Sequence, residues 1–229
     1  MESGDETPAP RSLLPLPRRA EDTSSAYEKC LAVLIDLLGA ERPPLASDTG
    51  RSHRVWHQRA RQVIAQAAQS SPARDEWFEP LMRAAVYDPD PSFNRRLIEP
   101  AVTTFGRRRV QRALLDYLRA GTDPERAGAA RAWYWTQVPL TFLAGSPTPT
   151  PESRAEFEAV ADLRQEWRET ALRVFVANND LDVRRSLLSG LNLNLRHYPE
   201  ALHETVAEAV RIARTHPDDY LRHRVEHQV

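Results

Sequence analysis

Two Asp-Pro pairs, Asp88-Pro89 and Asp90-Pro91, interrupt an otherwise helical apolar pattern, and no other stretch constrains the fold as much. Before them Phe78, Leu81, Met82 and Ala85 recur at helical steps; after them Phe93, Leu97, Ala101 and Phe105 do the same. Each Pro removes a backbone donor, and the residue ahead of a Pro avoids the helical region, so the first helix has to stop here. Asp90 is placed to cap the next helix, with Pro91 in its first turn, where a missing N–H costs nothing. The segment predicts two antiparallel helices joined by a short, stiff turn.

The event recurs. Val110, Leu114 and Tyr117 precede "AGTDPERAGAA", and Ala127, Ala130 and Trp133 follow. Phe157, Val160, Trp167, Ala171 and Val174 predict one long helix before "NNDLDVRRSLL", with Val183, Leu187 and Leu191 after it. Leu202, Val206, Ala209 and Ala213 precede "THPDDYLRHRV", and Leu221 and Val225 follow. Aligning the turns puts Asp90, Asp123, Asp180 and Asp218 in one column, and Phe93, Arg126, Val183 and Leu221 three residues later. The outer steps of 33 and 38 residues suit a two-helix repeat. The middle step of 57 is lengthened by "AGSPTPTPESR" (144–154), whose Ser, Thr and Pro predict an exposed loop. Upstream, residues 26–38 read as a helix stopped by Gly39, "AERPPLASDTG" as a loop, and residues 51–69 as a helix with Val55, Arg59, Val63 and Ala67 along one face. Pro80 and Pro100 fall inside helical stretches and predict kinks. No strand–turn–strand pattern occurs. The expected organisation is a disordered Pro-rich tail over residues 1–24, then one domain over 25–229 with hairpins at about 26–70, 75–105, 107–137, 152–195 and 198–229. "LLPLP" within the tail could dock into a groove in extended form.

A first helix, a turn of the form Asp-Pro-Asp-Pro-x-Val-Arg and a second helix resemble the HEAT repeat. "DPDPSFNRR" and "NDLDVRR" look like that signature, and "GTDPERA" and "PDDYLRH" follow it more loosely. The likeness covers residues 75–229, and extends from 26 if the first hairpin is a divergent cap. It implies an all-α fold, a right-handed α-solenoid of antiparallel helix pairs. It also implies that the turn Asp and Arg bond between neighbouring units. Arg184 and Arg222 occupy the Arg position, whereas Asn94 and Ala127 depart from it.

Charge and cysteine usage narrow the function classes. The formal net charge is −1, so total charge gives no support to general polyanion binding. Lys29 is the only Lys, and the Arg excess follows from a GC-rich genome more readily than from phosphate recognition. Cys30 is the only Cys, which rules out an internal disulfide or a Cys-based zinc site. The acidic, Pro-rich start is unlike a signal peptide, and the apolar run 31–38 is too short to span a bilayer and contains Asp36. A cytoplasmic protein without a membrane partner is the expectation.

The chemistry-bearing clusters are few. His53 and His57, and His223 and His227, share helix faces at four-residue spacing, but neither pair has a carboxylate arranged as in a His-Glu-x-x-His motif, so no metal is expected. Arg107–Arg109 reads as a solvated run at a helix start. Trp133 and Tyr134 are expected to face inward. Neither a phosphate loop nor a nucleophile elbow is present, so no catalytic residue and no cofactor are assigned. The leading expectation is a non-catalytic scaffold holding a protein or peptide on exposed positions of the second helices: Arg95, Arg96, Glu99, Arg131, Arg185, Ser189, Asn192 and Arg222, with Asp90, Asp123, Asp180, Asp218 and Arg184 as structural turn residues. Arg can grip carboxylates bidentately, which favours an acidic segment, although the same Arg could pair within the array. The alternatives are a HEAT-like DNA glycosylase or other nucleic-acid-binding protein, and a HEAT-like cofactor lyase.

Overall fold

The structure, a computed structural model, describes residues 13–19, 22–45, 49–70, 72, 74–90 and 92–229. These contain α1 (Ser24–Leu37), α2 (Gly50–Ser70), α3 (Phe78–Tyr87), α4 (Arg95–Phe105), α5 (Arg107–Ala120), α6 (Asp123–Trp133), α7 (Pro151–Glu158), α8 (Ala161–Ala177), α9 (Leu181–Leu188), α10 (His203–Thr215) and α11 (Asp219–Val225). Among the described residues the only β interaction is an isolated bridge between Phe142 and Pro149. No described helix is long and apolar enough to cross a membrane.

The turn residues act through several geometries. Asp180 and Asp218 cap α9 and α11, accepting from the N–H groups of Val183 and Leu221 at 2.8 and 3.1 Å. α6 is capped one residue earlier than the column predicts, by Thr122 in a capping box with Glu125. Asp123, freed from that task, accepts from Asn178 Nδ2 of the following turn at 2.6 Å. Asp90 accepts from Ser92 N–H in a local turn, and α4 begins only at Arg95. Arg184 does not reach a neighbouring turn: its guanidinium bonds Phe175 O and Asn179 Oδ1 within its own hairpin. Arg185, one position on, makes the bond between hairpins, to Asp218.

Helix contacts fall into two groups. α1 packs on α3 and α2 on α4; further on, α5, α8 and α10 adjoin in sequence, as do α6, α9 and α11. At the junction between the two groups the order crosses, with α3 against α6 and α4 against α5. Gly106 stands at this junction. It is the single residue between α4 and α5, and its φ of 84° is a conformation that side-chain-bearing residues avoid. α5 contacts α4 more than α3. One row therefore holds α1, α3, α6, α9 and α11, and the other holds α2, α4, α5, α8 and α10.

The core lies between the rows and includes Leu31, Ile64, Leu97, Ile98, Leu114, Leu118, Leu172 and Phe175, all fully enclosed. Each such side chain stabilises the fold by about 1.5–3 kcal/mol through burial. Trp133 of α6 stacks on Trp167 of α8 with ring centroids 4.0 Å apart, adding roughly 1 kcal/mol beyond area. Beneath the first two hairpins lies a charged core: Arg61 donates twice to Asp88, with Nε 2.7 Å from Oδ2, and Tyr27 Oη donates to the same oxygen at 3.0 Å. Burial raises the Tyr27 phenol well above its usual value.

Several local expectations are corrected. α2 buries Trp56, Ala60, Ile64 and Ala68, one position along from the predicted face, and leaves Val55 exposed. Pro80 is the third residue of α3, where its missing N–H has no helical partner to lose, so no kink is required. Pro100 does sit inside α4 and is buried. The long helix through Phe157 and Val174 is broken at Ala159–Val160 into α7 and α8. The predicted loop 144–154 ends in the first turn of α7, where Thr150 caps and Pro151 takes the first position. Of the expected tail, residues 1–12, 20 and 21 lie outside the described residues. Leu13–Arg19 runs against the body outside any helix or strand, with Leu16 packed on the core.

Candidate functional site

The crossed junction separates the residues that the sequence groups together. Arg95, Arg96 and Glu99 lie on α4 in one row; Arg131, Arg185 and Arg222 lie on α6, α9 and α11 in the other, and Ser189 caps the end of α9. Most of the second group is spent inside the protein. Arg131 is 5% exposed and donates from Nε to Ser186 Oγ at 3.0 Å and from Nη2 to Pro17 O at 3.3 Å. Arg185 pairs with Asp218, and Arg222 with Asp219 and His216 O. Ser189 donates to Ser186 O, and its carbonyl accepts from Arg224. Asn192 is exposed and braces the turn at Asn194.

Of the first group, Arg96 and Glu99 line an open groove of about 1180 Å³ between α2, α4 and residues 134–139. Gln62, Gln66 and Gln69 of α2 form one wall, Arg96, Glu99 and Thr103 of α4 the floor, and Tyr134 and Trp135 the far side. Arg95 pairs loosely with Glu99 at 3.4 Å and lies 5.5 Å over the Trp135 ring. Arg96 makes no ion pair among the described residues and sits 5.8 Å over the Phe93 ring. Arg107 anchors the rim, donating to Thr136 O and Gln137 O. α2 contains no Asp or Glu, so Glu99 is the only carboxylate among the described residues that line these walls. Tyr134 is 68% exposed, contrary to expectation. α6 ends at Trp133, and the 3₁₀ turn Tyr134–Thr136 swings the next ring outward while Trp133 stays stacked on Trp167. The signal for this groove was the run of amides on an acid-free helix, which apolar spacing overlooks.

A second hollow of about 1030 Å³ over α5 is a different case. Arg109 covers the Phe78 and Phe105 rings and pairs with Asp75; Arg108 pairs with Asp162, and Arg112 and Arg119 share Glu166. The Arg108 guanidinium holds the Asp162 carboxyl down to about 2. Arg108 and Arg109 are exposed, as expected of a solvated run, and also pair with Asp162 and Asp75 of neighbouring elements, while Arg107 is half-buried.

The histidines also have internal tasks. His53 Nδ1 and His57 Nε2 lie 2.7 and 2.9 Å from the same oxygen, Glu28 Oε1, so they converge on a carboxylate and not on a metal position. Burial pushes the His57 imidazole below its ordinary value, against the bond to Glu28. No group of three or more described His, Cys, Asp or Glu side chains is disposed to hold a metal ion. Burial raises the Cys30 thiol, which suits a packed side chain better than a nucleophile.

No family model, curated protein or solved structure matches this chain.

Proposed function

We propose that this protein is a non-catalytic scaffold, a right-handed solenoid of HEAT-like hairpins with one crossed junction, that binds an acidic segment of a partner protein in the α2–α4 groove. The observation that carries this reading is charge: Arg96 and Arg107 line the groove against Glu99 alone, with Arg95 over the Trp135 ring at its edge, beside the exposed Tyr134 ring. Carboxylates of an extended peptide would find bidentate partners in Arg95 and Arg96, and the glutamine amides would take its backbone carbonyls. The aromatic pair supplies the rigid contact area common at interface centres. The original grouping on second helices survives here only for its α4 members.

The test uses the full chain and a fluorescein-labelled peptide alternating Glu with Leu, read by anisotropy. The expected result is binding that weakens at least tenfold in an Arg95→Glu/Arg96→Glu chain with an unchanged unfolding midpoint. Equal binding by both chains refutes the groove. Binding of duplex DNA with a steep salt dependence, followed by release of a modified base, would replace this reading with the glycosylase alternative.

A further inference from the structure

The row opposite the groove already grips a peptide segment, its own. Leu14 N–H donates to His223 Nε2 of α11 at 3.3 Å, across 209 residues of sequence. Arg131 of α6 holds Pro17 O, and Leu16 packs against the core. Arg19 closes the seat: Nη2 donates to Val86 O at 2.8 Å and Nη1 to Pro124 O at 3.4 Å, so its guanidinium satisfies the C-terminal end of α3. Gly128 shapes the notch for it. A Cβ there would lie 1.9 Å from Val86 O and 2.6 Å from Arg19 Nη2.

The strap fills this seat poorly at its N-terminal half. Leu13 and Leu14 are 51% and 44% exposed, and only Leu16 is packed. Beneath it, Arg131 Nη1 is buried without a hydrogen-bond partner, and Arg185 Nε and Arg224 Nε, on neighbouring helices, are in the same condition. Burial and the nearby Arg19 cation depress the Arg131 guanidinium to about 10, against the opposing pull of Asp182, while its Nη1 donor still has no acceptor. A buried cation with an unused donor costs free energy that an anionic neighbour would recover. The neutral Leu-Pro strap supplies only a carbonyl.

We infer that this seat is a second interaction surface, for an extended Leu-Pro segment of a partner protein carrying an Asp or Glu beside the residue that takes the place of Pro17, and that residues 13–17 occupy it as a displaceable stand-in. Arg19 remains in its notch during the exchange, because it serves α3. The carboxylate engages Arg131 Nη1, while the partner's prolines keep its backbone extended at small entropic cost.

The experiment uses the full chain and two labelled peptides, Leu-Leu-Pro-Leu-Pro-Arg-Arg and Leu-Leu-Pro-Leu-Pro-Asp-Arg. Leu16→Ser loosens the strap at an edge position. The acidic peptide should bind this variant at least tenfold more tightly than the wild type, and at least tenfold more tightly than the basic peptide does. Adding Arg131→Met should abolish that preference, whereas adding Arg96→Glu, in the other groove, should leave it intact. If Arg131→Met lowers the unfolding midpoint too far, hydrogen exchange on the wild type decides. Saturating acidic peptide should speed exchange at the Leu14 and Leu16 amides severalfold. Equal affinity for wild type and Leu16→Ser, equal affinity for the two peptides, or unchanged exchange overturns the inference. Self-association through exchanged straps without peptide binding overturns the assignment to a partner protein.

Discussion

Gly128→Ala isolates the contact that joins the two groups of hairpins. On a bare helix the change would stabilise by about 1 kcal/mol, since Ala is the better helix former. Here the new Cβ would meet Val86 O at 1.9 Å and the Val86 carbonyl carbon at 2.7 Å. Both are backbone atoms, so no rotamer change relieves them; α3 and α6 have to separate by more than 1 Å. Overpacking a close contact costs about 1–3 kcal/mol, and the upper end applies because the shift also strains the Arg19 bond to Val86 O. Net of the propensity gain, destabilisation should be about 2 kcal/mol. For a chain of this size that lowers the melting temperature by about 4–8 °C. Urea unfolding followed by helical circular dichroism measures it, with Gly121→Ala as a second glycine-to-alanine chain. An Arg19→Ala/Gly128→Ala chain should recover only part of the loss, since the backbone contact remains. A Gly128→Ala chain as stable as wild type, or more stable, would refute the packing described between α3 and α6.

Three further outcomes follow from the same structure. Asp88→Asn leaves the Arg61 guanidinium buried without its counter-charge and should cost about 3–5 kcal/mol; a loss below 1 kcal/mol in the urea midpoint analysis would deny the buried pair. Asp180→Ala should cost about 1 kcal/mol through the lost cap on Val183 N–H, again by urea midpoint. His57 has a depressed folded value, so the folded state binds fewer protons than the unfolded one, and stability should decline as pH falls below about 6.5. His57→Gln should flatten that decline between about pH 7 and 5; an identical slope in the two chains would contradict the assignment.

The helices were legible because apolar spacing and Asp caps are local signals. Asp180 and Asp218 cap as their positions demand. The α2 face slipped by one residue because Val55, Val63 and Ala67 are as regularly spaced as Trp56, Ala60, Ile64 and Ala68. The bond from Trp56 Nε1 to Pro43 O, from the preceding loop, accompanies the register that forms. The crossed junction was invisible because it rests on contacts of α3 with α6 and α4 with α5, which helical spacing does not encode. That crossing also divided the expected binding surface. Of the eight residues named from the sequence, Arg96 and Glu99 line the groove and Arg95 leans over its aromatic side, while Arg131, Arg185 and Arg222 serve internal bonds. Pairing of Arg within the array depends on contacts between distant segments, which helical periodicity does not encode.

The bond from Leu14 to His223 has a consequence for synthesis. Arg131 is made 92 residues before His223, which at about 5–20 residues per second is about 5–20 seconds of translation. Hairpins whose contacts are close in sequence assemble within that interval, while the strap's most distant anchor still lies ahead on the message. The emerging chain therefore exposes the α6 side of the seat while α11 is still unmade. If the proposed exchange occurs, a partner segment present during synthesis would meet a strap held by Arg131 and not yet by His223, and one arriving after release would meet both anchors.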